Sequence, residues 1–185
     1  MKKGFLIVYS GPSGVGKGTI MKELLSLKTL KLCFSVSMTT RKPRPGEVDG
    51  VNYYFVTKEQ FEENIKNDQI LEWAQYGDNY YGTPKAPVFK WISEGKTVIL
   101  EIEVQGADKI RSQYPDVRTM FLMPPSIHVL RERLSGRQTE SEEEVNKRIE
   151  IAKKEIGRAN DYDYIIVNNR LEDAIEDALE INLNK

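Results

Sequence analysis

The residues with the clearest chemical potential lie between Gly11 and Thr19, in the stretch G-P-S-G-V-G-K-G-T. A glycine-rich turn lets a phosphate approach backbone amides closely, and a lysine adds a full positive charge beside them. The stretch matches the phosphate-loop pattern G-x-x-x-x-G-K as far as Lys17, but Gly18 stands where that pattern has serine or threonine. We therefore expect Thr19, one position further on, to serve a metal ion, directly or through a water.

A strand and a helix must position this loop. The apolar run from Phe5 to Tyr9 is typical of a buried strand, and the apolar residues from Ile20 to Leu25 recur at helical spacing. Strand, glycine-rich turn and helix together form the setting in which a helix N-terminus binds a phosphate. The alternative is an incidental lysine in a glycine-rich turn, and the agreement of all three elements makes it the weaker explanation.

A second cluster of positive charge follows at Arg41-Lys42-Pro43-Arg44-Pro45-Gly46. Two nearby prolines exclude a helix and favour an extended loop. An isolated cluster of this kind is usually a solvated basic turn. Its place just after a strand in a nucleotide-binding chain favours a second phosphate site, because arginine binds phosphate through two parallel hydrogen bonds.

Composition limits the other classes of function. The chain has 185 residues, of which 39% are hydrophobic, and this suits one compact domain. Its 27 basic and 28 acidic residues nearly cancel, which argues against bulk nucleic-acid binding and against a polybasic membrane anchor. The single cysteine allows no internal disulfide, and no apolar stretch approaches the roughly 18 residues of a membrane span. We expect a cytoplasmic protein with no membrane partner.

Runs of apolar and β-branched residues alternate with segments of helical periodicity, and this order predicts an α/β fold with a parallel sheet covered by helices on both faces. Two capping boxes, Thr57 with Gln60 and Ser141 with Glu144, predict the starts of two helices. The expected strands lie at residues 5–9, 31–38, 51–56, 70–76, 80–83, 97–104, 119–123 and 164–167, and the later helices at 57–67, 84–95, from 105, 126–134, 141–160 and 171–183. Short strands at about 35–85 indicate a small inserted lobe.

Over essentially its whole length the sequence resembles the guanylate kinases, which convert GMP and ATP to GDP and ADP. The resemblance rests on residues 11–19, quoted above, and on six further segments. These are S-V-S-M-T-T-R-K-P-R-P-G-E (35–47), D-G-V-N-Y-Y-F (49–55), L-E-W-A-Q-Y (71–76), N-Y-Y-G-T (79–83), E-I-E-V-Q-G (101–106) and R-L-S-G-R-Q-T (133–139), the last followed by N-K-R (146–148). It implies a P-loop NTPase fold in a single domain, with a core at about 1–34, 86–134 and 160–185, a GMP-binding lobe at 35–85 and a lid at 135–159.

The resemblance also implies the site residues. The ATP contacts are Gly11, Pro12, Ser13, Gly14, Val15, Gly16, Lys17, Gly18, Thr19, Arg133, Arg137 and Asn168, the last of which matches a position that approaches the adenine in relatives. The GMP contacts are Ser37, Arg41, Arg44, Tyr53, Glu72, Tyr81, Thr83 and Glu103. The residues implied in catalysis are Lys17, Arg41, Arg137 and Arg148. Thr19 would serve Mg²⁺, with Glu101 or Glu103 arranging its waters.

The chemistry of these residues suits the implied roles. A carboxylate at Glu72 can accept from both guanine N1–H and the 2-amino group, whereas adenine has neither donor. The family shows Asp or Glu at positions 101 and 103, and both are Glu here; whether Glu103 reaches guanine or the metal's waters stays open. ATP and GMP are the implied substrates, dGMP is an alternative acceptor, and the chain is expected to be a monomer or a homodimer.

Two other classes of protein share parts of this pattern. One is a P-loop kinase that acts on a different mononucleotide or on a sugar phosphate, and Glu72 with Ser37 and Thr83 favours guanine instead. The other is a non-enzymatic guanylate-kinase-like module that binds phosphorylated peptides, typically with a degraded phosphate loop. The presence of Lys17 and of the arginines favours the enzyme.

Overall fold

The computed structural model describes residues 4–27, 31–136 and 141–183, which contain nine strands and seven helices. The strands are β1 (Phe5–Ser10), β2 (Leu32–Phe34), β3 (Met38–Thr39), β4 (Tyr54–Phe55), β5 (Ile70–Tyr76), β6 (Asn79–Pro84), β7 (Thr97–Glu101), β8 (Arg118–Met123) and β9 (Tyr164–Val167). The helices are α1 (Lys17–Ser26), α2 (Lys58–Lys66), α3 (Lys85–Ser93), α4 (Val104–Gln113), α5 (Ile127–Ser135), α6 (Glu142–Ile156) and α7 (Leu171–Leu183), with a 3₁₀ helix at Ala159–Asp161. None of the helices in these ranges is long and apolar enough to cross a bilayer.

The strands form two sheets. The five-stranded sheet has the order β2-β7-β1-β8-β9, and its pairs β1–β8, β2–β7 and β8–β9 are parallel. The four-stranded sheet has the order β4-β3-β6-β5 and joins β6 to both β3 and β5 in antiparallel fashion. Helices separate the parallel strands along the chain, as crossover connections require. The predicted α/β fold with a parallel sheet is confirmed.

The described residues divide into two compact units. The first, which we call the lobe unit, comprises residues 4–6, 31–100 and 105–117, and it holds the whole four-stranded sheet. Within it, the ring of Phe61 on α2 is fully buried and stacks on Tyr80 of β6 at 5.4 Å between centroids. The capping box of Thr57 and Gln60 begins α2 as predicted, because each side chain satisfies a backbone amide of the first turn.

The second unit, the phosphate-loop unit, comprises residues 7–27, 101–104, 118–136 and 141–183. Its core is built from fully buried apolar side chains of β1, β8, α1 and α5. These include Ile7, Val8, Tyr9, Ile20, Leu24, Met120, Phe121, Leu122 and Leu130. Helix α1 packs on α7, and α5 packs on α6. The run from Phe5 to Tyr9 reads as continuously apolar because a strand in a parallel sheet is buried on both faces.

Four predicted boundaries were wrong. Residues 31–38 are not one strand, since β2 pairs with β7 and β3 pairs with β4 and β6 in the other sheet. The strand expected at 97–104 ends at Glu101, because its apolar pattern continues into the buried first turn of α4. The strand expected at 51–56 is only Tyr54–Phe55, and Val51 is 65% exposed in a turn. Helix α6 ends at Ile156 rather than Asn160, at the cap Gly157.

Candidate active site

The phosphate loop lies between the end of β1 and the start of α1. Gly16 is the N-cap of α1 in the left-handed region, with φ of 106°, and no side chain caps this helix. By contrast, the hydroxyls of Thr57, Ser126 and Ser141 cap α2, α5 and α6. The first amides of α1 therefore keep their partial positive charge without a side-chain acceptor, as an anion site requires.

Lys17 lies inside the loop. Its Nζ donates to the carbonyl oxygens of Gly11 at 2.6 Å and Pro12 at 3.2 Å. Burial lowers the pKa of Lys17, and the charges of three carboxylates partly oppose that shift. The carboxylates are Glu101, Glu155 and Glu103. Burial also raises the pKa of Glu101, which Lys17 partly offsets. A further anion beside Lys17 would favour its charged form, so this ammonium is suited to binding phosphate.

Two predicted ATP contacts hold the loop backbone. Asn168 Nδ2 and Arg133 Nη1 both donate to the carbonyl oxygen of Val15, at 2.8 Å and 3.1 Å. A Cβ at Gly16 would lie only 2.5 Å from Asn168 Nδ2, so glycine is required there by space as well as by its φ. The structure thus brings Arg133 and Asn168 to the phosphate loop, and their predicted contact with ATP stays a prediction.

The remaining residues predicted for ATP and metal lie at different places. Arg148 on α6 donates through Nη2 to the hydroxyl of Ser13, which brings a helix of the predicted lid region to the loop. Thr19 is exposed in the first turn of α1. Glu103 is exposed and belongs to the phosphate-loop unit, near Lys17. Arg137 lies outside the described residues.

The residues present suit magnesium chemically. The hydroxyl of Thr19 and the carboxylates of Glu101 and Glu103 are hard oxygen donors, the type that Mg²⁺ takes. Within residues 4–27, 31–136 and 141–183, no three His, Cys, Asp or Glu side chains form a group that could hold a metal by themselves. A magnesium ion here would be held largely by the phosphates of a nucleotide, which is its usual mode in kinases.

In the lobe unit, the predicted phosphate residues surround Arg41. Its guanidinium lies 5.5 Å from the ring centre of Tyr53, and the Tyr81 hydroxyl is a hydrogen-bond partner that raises the pKa of Arg41 less than Glu47 does. The rings of Tyr53 and Tyr81 meet edge to face at 6.1 Å. Arg44 places its exposed side chain on the same loop. Three of the four predicted phosphate residues thus form one cluster.

Glu47 completes this cluster and was missed as a site residue in the sequence. Its Oε2 and Oε1 accept from Arg41 Nη1 and Nη2 at 2.9 and 2.8 Å, and Oε2 also accepts from the backbone N–H of Arg44 at 2.7 Å. These bonds hold the pKa of Glu47 at about 2. The sequence offers one signal for this role, a single glutamate at the end of R-K-P-R-P-G-E. Its spacing alone does not show which of the basic residues it binds.

The predicted guanine contacts occupy neighbouring strands. Glu72 on β5 and Thr83 on β6 are register partners, and Thr83 Oγ1 donates to Glu72 Oε1 at 2.7 Å. Glu72 is 6% exposed and Thr83 1% exposed. Ser37 directly precedes β3, and its carbonyl oxygen accepts from Tyr54 N–H at 2.8 Å. A carboxylate this deeply buried at a strand position carries a cost that calls for hydrogen-bond donors.

Comparison with known proteins shows which family the chain resembles over its length. The family model described as guanylate kinase matches residues 3–183. Guanylate kinases of Halalkalibacterium halodurans and Bacillus cereus are 53% and 51% identical to it, each over 95% of this chain and 85% of the relative. The crystal structure of guanylate kinase from Anaplasma phagocytophilum matches with a TM-score of 0.81 and 34% identity, over 98% of this chain and 85% of that one.

These matches cover the phosphate loop, the basic loop and both sheets in one alignment, and they bear out the expected P-loop NTPase fold. A family model that spans almost the entire chain, together with relatives of about half identical sequence, excludes a resemblance limited to the phosphate loop. This chain belongs to the guanylate kinase family of enzymes.

Proposed function

We propose that the chain transfers the γ-phosphoryl group of ATP to GMP, with ATP held by the phosphate-loop unit and GMP by the lobe unit. Guanylate kinases form ADP and GDP from these substrates, and this chain carries out the same reaction. The observation that most supports the acceptor is the buried pair of Glu72 and Thr83 beside strands that carry the Arg41 cluster. A buried carboxylate and a guanidinium match the two ends of a guanosine monophosphate.

GMP is recognised at its base and at its phosphate. Glu72 accepts from guanine N1–H and the 2-amino group, while Thr83 holds the carboxylate in place. Ser37 directly precedes β3, which pairs with the strand that carries Thr83. Arg41 and Arg44 bind the phosphate, with neutral donors from the tyrosine hydroxyls. The Nη1 and Nη2 atoms of Arg41 are held by Glu47, which fixes the orientation of the guanidinium beside Tyr53 and Tyr81.

ATP is held by the loop amides, by the N-terminus of α1 and by Lys17. Arg148, and Arg137 in the predicted lid at about 135–159, add positive charge around the transferred group. Phosphoryl transfer depends mainly on positioning and on charge neutralisation, so no side chain has to form a covalent bond. The attacking oxygen belongs to the GMP phosphate, and in-line transfer requires it to approach the γ-phosphorus opposite the bond to ADP.

We include Mg²⁺ as the cofactor, served by Thr19 and by Glu101 or Glu103. When bound, it neutralises charge between the β- and γ-phosphates. The position after Lys17 is Gly18, so the hydroxyl that would serve the metal would come from Thr19, directly or through a water. The substrates are small molecules of purine nucleotide metabolism, which suits a cytoplasmic enzyme with no nucleic-acid or membrane partner.

A coupled assay of ADP release tests the proposal directly. We expect turnover with GMP and not with AMP, CMP or UMP when ATP and Mg²⁺ are present, because only guanine offers Glu72 two adjacent donors. Turnover with another monophosphate would leave the assignment of the phosphate loop unchanged and would contradict the role of Glu72 in recognising guanine. Tight GMP binding without turnover for any of the four would show a binding module instead.

Glu47→Gln should raise the KM for GMP by about tenfold while changing the KM for ATP little, because the amide has one acceptor where the carboxylate has two. Arg41 would then lose the fork that fixes its guanidinium. Initial-rate kinetics with each substrate varied would measure the two constants. Glu62→Gln, exposed on α2, is the matched control, and an unchanged KM for GMP would contradict the role given to Glu47.

The same contact predicts the pH dependence of stability. The folded-state pKa of Glu47 is about 2, below its ordinary value of 4.5, so the contact stabilises the folded state above 4.5 and this contribution is lost as the pH falls towards 2. Urea unfolding between pH 6 and 3 should therefore show a smaller loss of stability in Glu47→Gln than in the unaltered protein. Equal losses would contradict the shift.

A further inference from the structure

The carbonyl oxygen of Val15 is a buried backbone group of the phosphate loop that is held by side chains from distant parts of the chain. Asn168 follows β9 and Arg133 lies on α5, which are 153 and 118 residues away from Val15. Val15 is fully buried and Asn168 is 7% exposed. Arg133 Nη2 also donates to the carbonyl oxygen of Asn168 at 3.0 Å, so the two donors are tied to each other as well as to the loop.

These contacts determine how one peptide plane of the loop is turned. In a trans peptide the carbonyl of Val15 and the N–H of Gly16 point in opposite directions. A loop amide that binds phosphate must point into the site, so the carbonyl of the same peptide must point out of it. Because that carbonyl is buried, it needs donors from the protein, and Asn168 and Arg133 supply them.

The glycine in this peptide also depends on Asn168. A Cβ at Gly16 would meet Asn168 Nδ2 at 2.5 Å and has no other side chain that close. The amide of Asn168 therefore packs directly against the Gly16 Cα while it binds the preceding carbonyl. Because Asn168 Nδ2 donates to the loop backbone, this side chain can act on the nucleotide through that backbone.

We propose that Asn168 and Arg133 are positioning residues of the phosphate loop, which keep the Gly16 N–H directed at the phosphates by holding the Val15 carbonyl. The proposal deepens the ATP site and rests on the proposed function only in taking a polyphosphate as the ligand of the loop. It differs from a contact with adenine, because it makes the effect of Asn168 independent of the base.

The test compares ADP with inorganic tripolyphosphate, which both carry phosphates although only ADP has a base, and it uses GMP as the ligand of the other site. Calorimetry would measure the dissociation constants of ADP, inorganic tripolyphosphate and GMP for Asn168→Ala and Asn168→Asp. Asn169, the exposed neighbour, gives matched controls in Asn169→Ala and Asn169→Asp. We expect both Asn168 variants to weaken ADP and tripolyphosphate by a similar factor of about ten or more, with GMP unchanged, since a buried carbonyl loses a donor.

Arg133→Lys is a second variant that keeps the charge on α5 and removes the forked donor. It should weaken tripolyphosphate in the same direction, and it keeps the test available where an Asn168 variant folds poorly. The amide resonance of Gly16 in the ligand-free protein should shift in both Asn168 variants and stay in place in the Asn169 controls, because the peptide plane is freed before any nucleotide binds.

Three results would overturn the proposal. Weakened ADP binding with unchanged tripolyphosphate binding would assign Asn168 to the adenine. Unchanged binding of both in folded variants would remove any role in the loop. Equal weakening of GMP with a large fall in melting temperature would indicate a general loss of structure. None of these outcomes depends on turnover, so a failure of the proposed reaction is seen separately, in the monophosphate assay.

Discussion

Lys17→Met should lower kcat by about a thousandfold or more, because a single positive charge on the transferred phosphoryl group is worth that much in phosphoryl-transfer enzymes. Methionine keeps most of the aliphatic stem and removes only the ammonium. That ammonium binds the carbonyl oxygens of Gly11 and Pro12 in the structure. Steady-state kinetics at saturating ATP and GMP would measure the loss.

The same substitution should not destabilise the protein. Burial lowers the pKa of Lys17, so the folded state holds this charge at a cost that methionine removes. Thermal unfolding of the ligand-free variant should give a midpoint equal to or above that of the unaltered protein. Lys22→Met, exposed on the same helix, is the control and should keep its turnover. Wild-type turnover in folded Lys17→Met would contradict the site.

Glu72→Gln should lower kcat/KM for GMP by about a hundredfold or more and raise the rate with AMP relative to that with GMP. The Glu72 carboxylate accepts from two donors of guanine. Once one of its oxygens is replaced by an NH₂ group, the site binds guanine less well and excludes adenine less strictly. The glutamine oxygen can still accept from Thr83, whereas its NH₂ would face a guanine donor. The same NH₂ can donate to adenine N1. Competition between GMP and AMP for a limiting amount of ATP would measure the ratio.

A control and a stability measurement accompany this variant. Glu63→Gln, exposed on α2, changes a charge in the same unit and should leave the GMP to AMP ratio unaltered. Replacing a carboxylate that is 6% exposed by a neutral amide of the same size should leave the melting temperature unchanged or higher. A preserved ratio in Glu72→Gln would remove the base-reading role from this residue.

Short-range patterns were sufficient for the local elements. The phosphate loop, both capping boxes and the strands Ile70–Tyr76 and Tyr164–Val167 were all predicted where the structure has them. Each depends on residues within about one or two turns or on a single alternating run, so propensity and hydrogen bonding between near neighbours decide them. The family and its reaction followed from motifs of this kind.

Strand pairing could not be obtained in the same way. The run 31–38 is uniformly suited to a strand, and only its partners divide it between two sheets. The apolar run after Thr97 suits a strand as far as Val104. Its last residue instead begins α4, because a buried helix needs apolar residues of the same kind. The hydrophobic pattern predicts that a residue is buried, but it does not predict which strand or helix the residue packs against.

The amino-acid sequence by itself determined the phosphate loop, the α/β alternation and the types of side chain available to bind ATP and GMP, because these are properties of short contiguous segments. Only the tertiary structure decided that Thr83 binds Glu72, that Glu47 takes one edge of Arg41, and that Asn168 and Arg133 hold the Val15 carbonyl. The contacts of Thr83 with Glu72 and of Asn168 and Arg133 with Val15 join residues 11 to 153 positions apart, and packing selects which groups meet. The contact of Glu47 with Arg41 depends on the conformation of their loop.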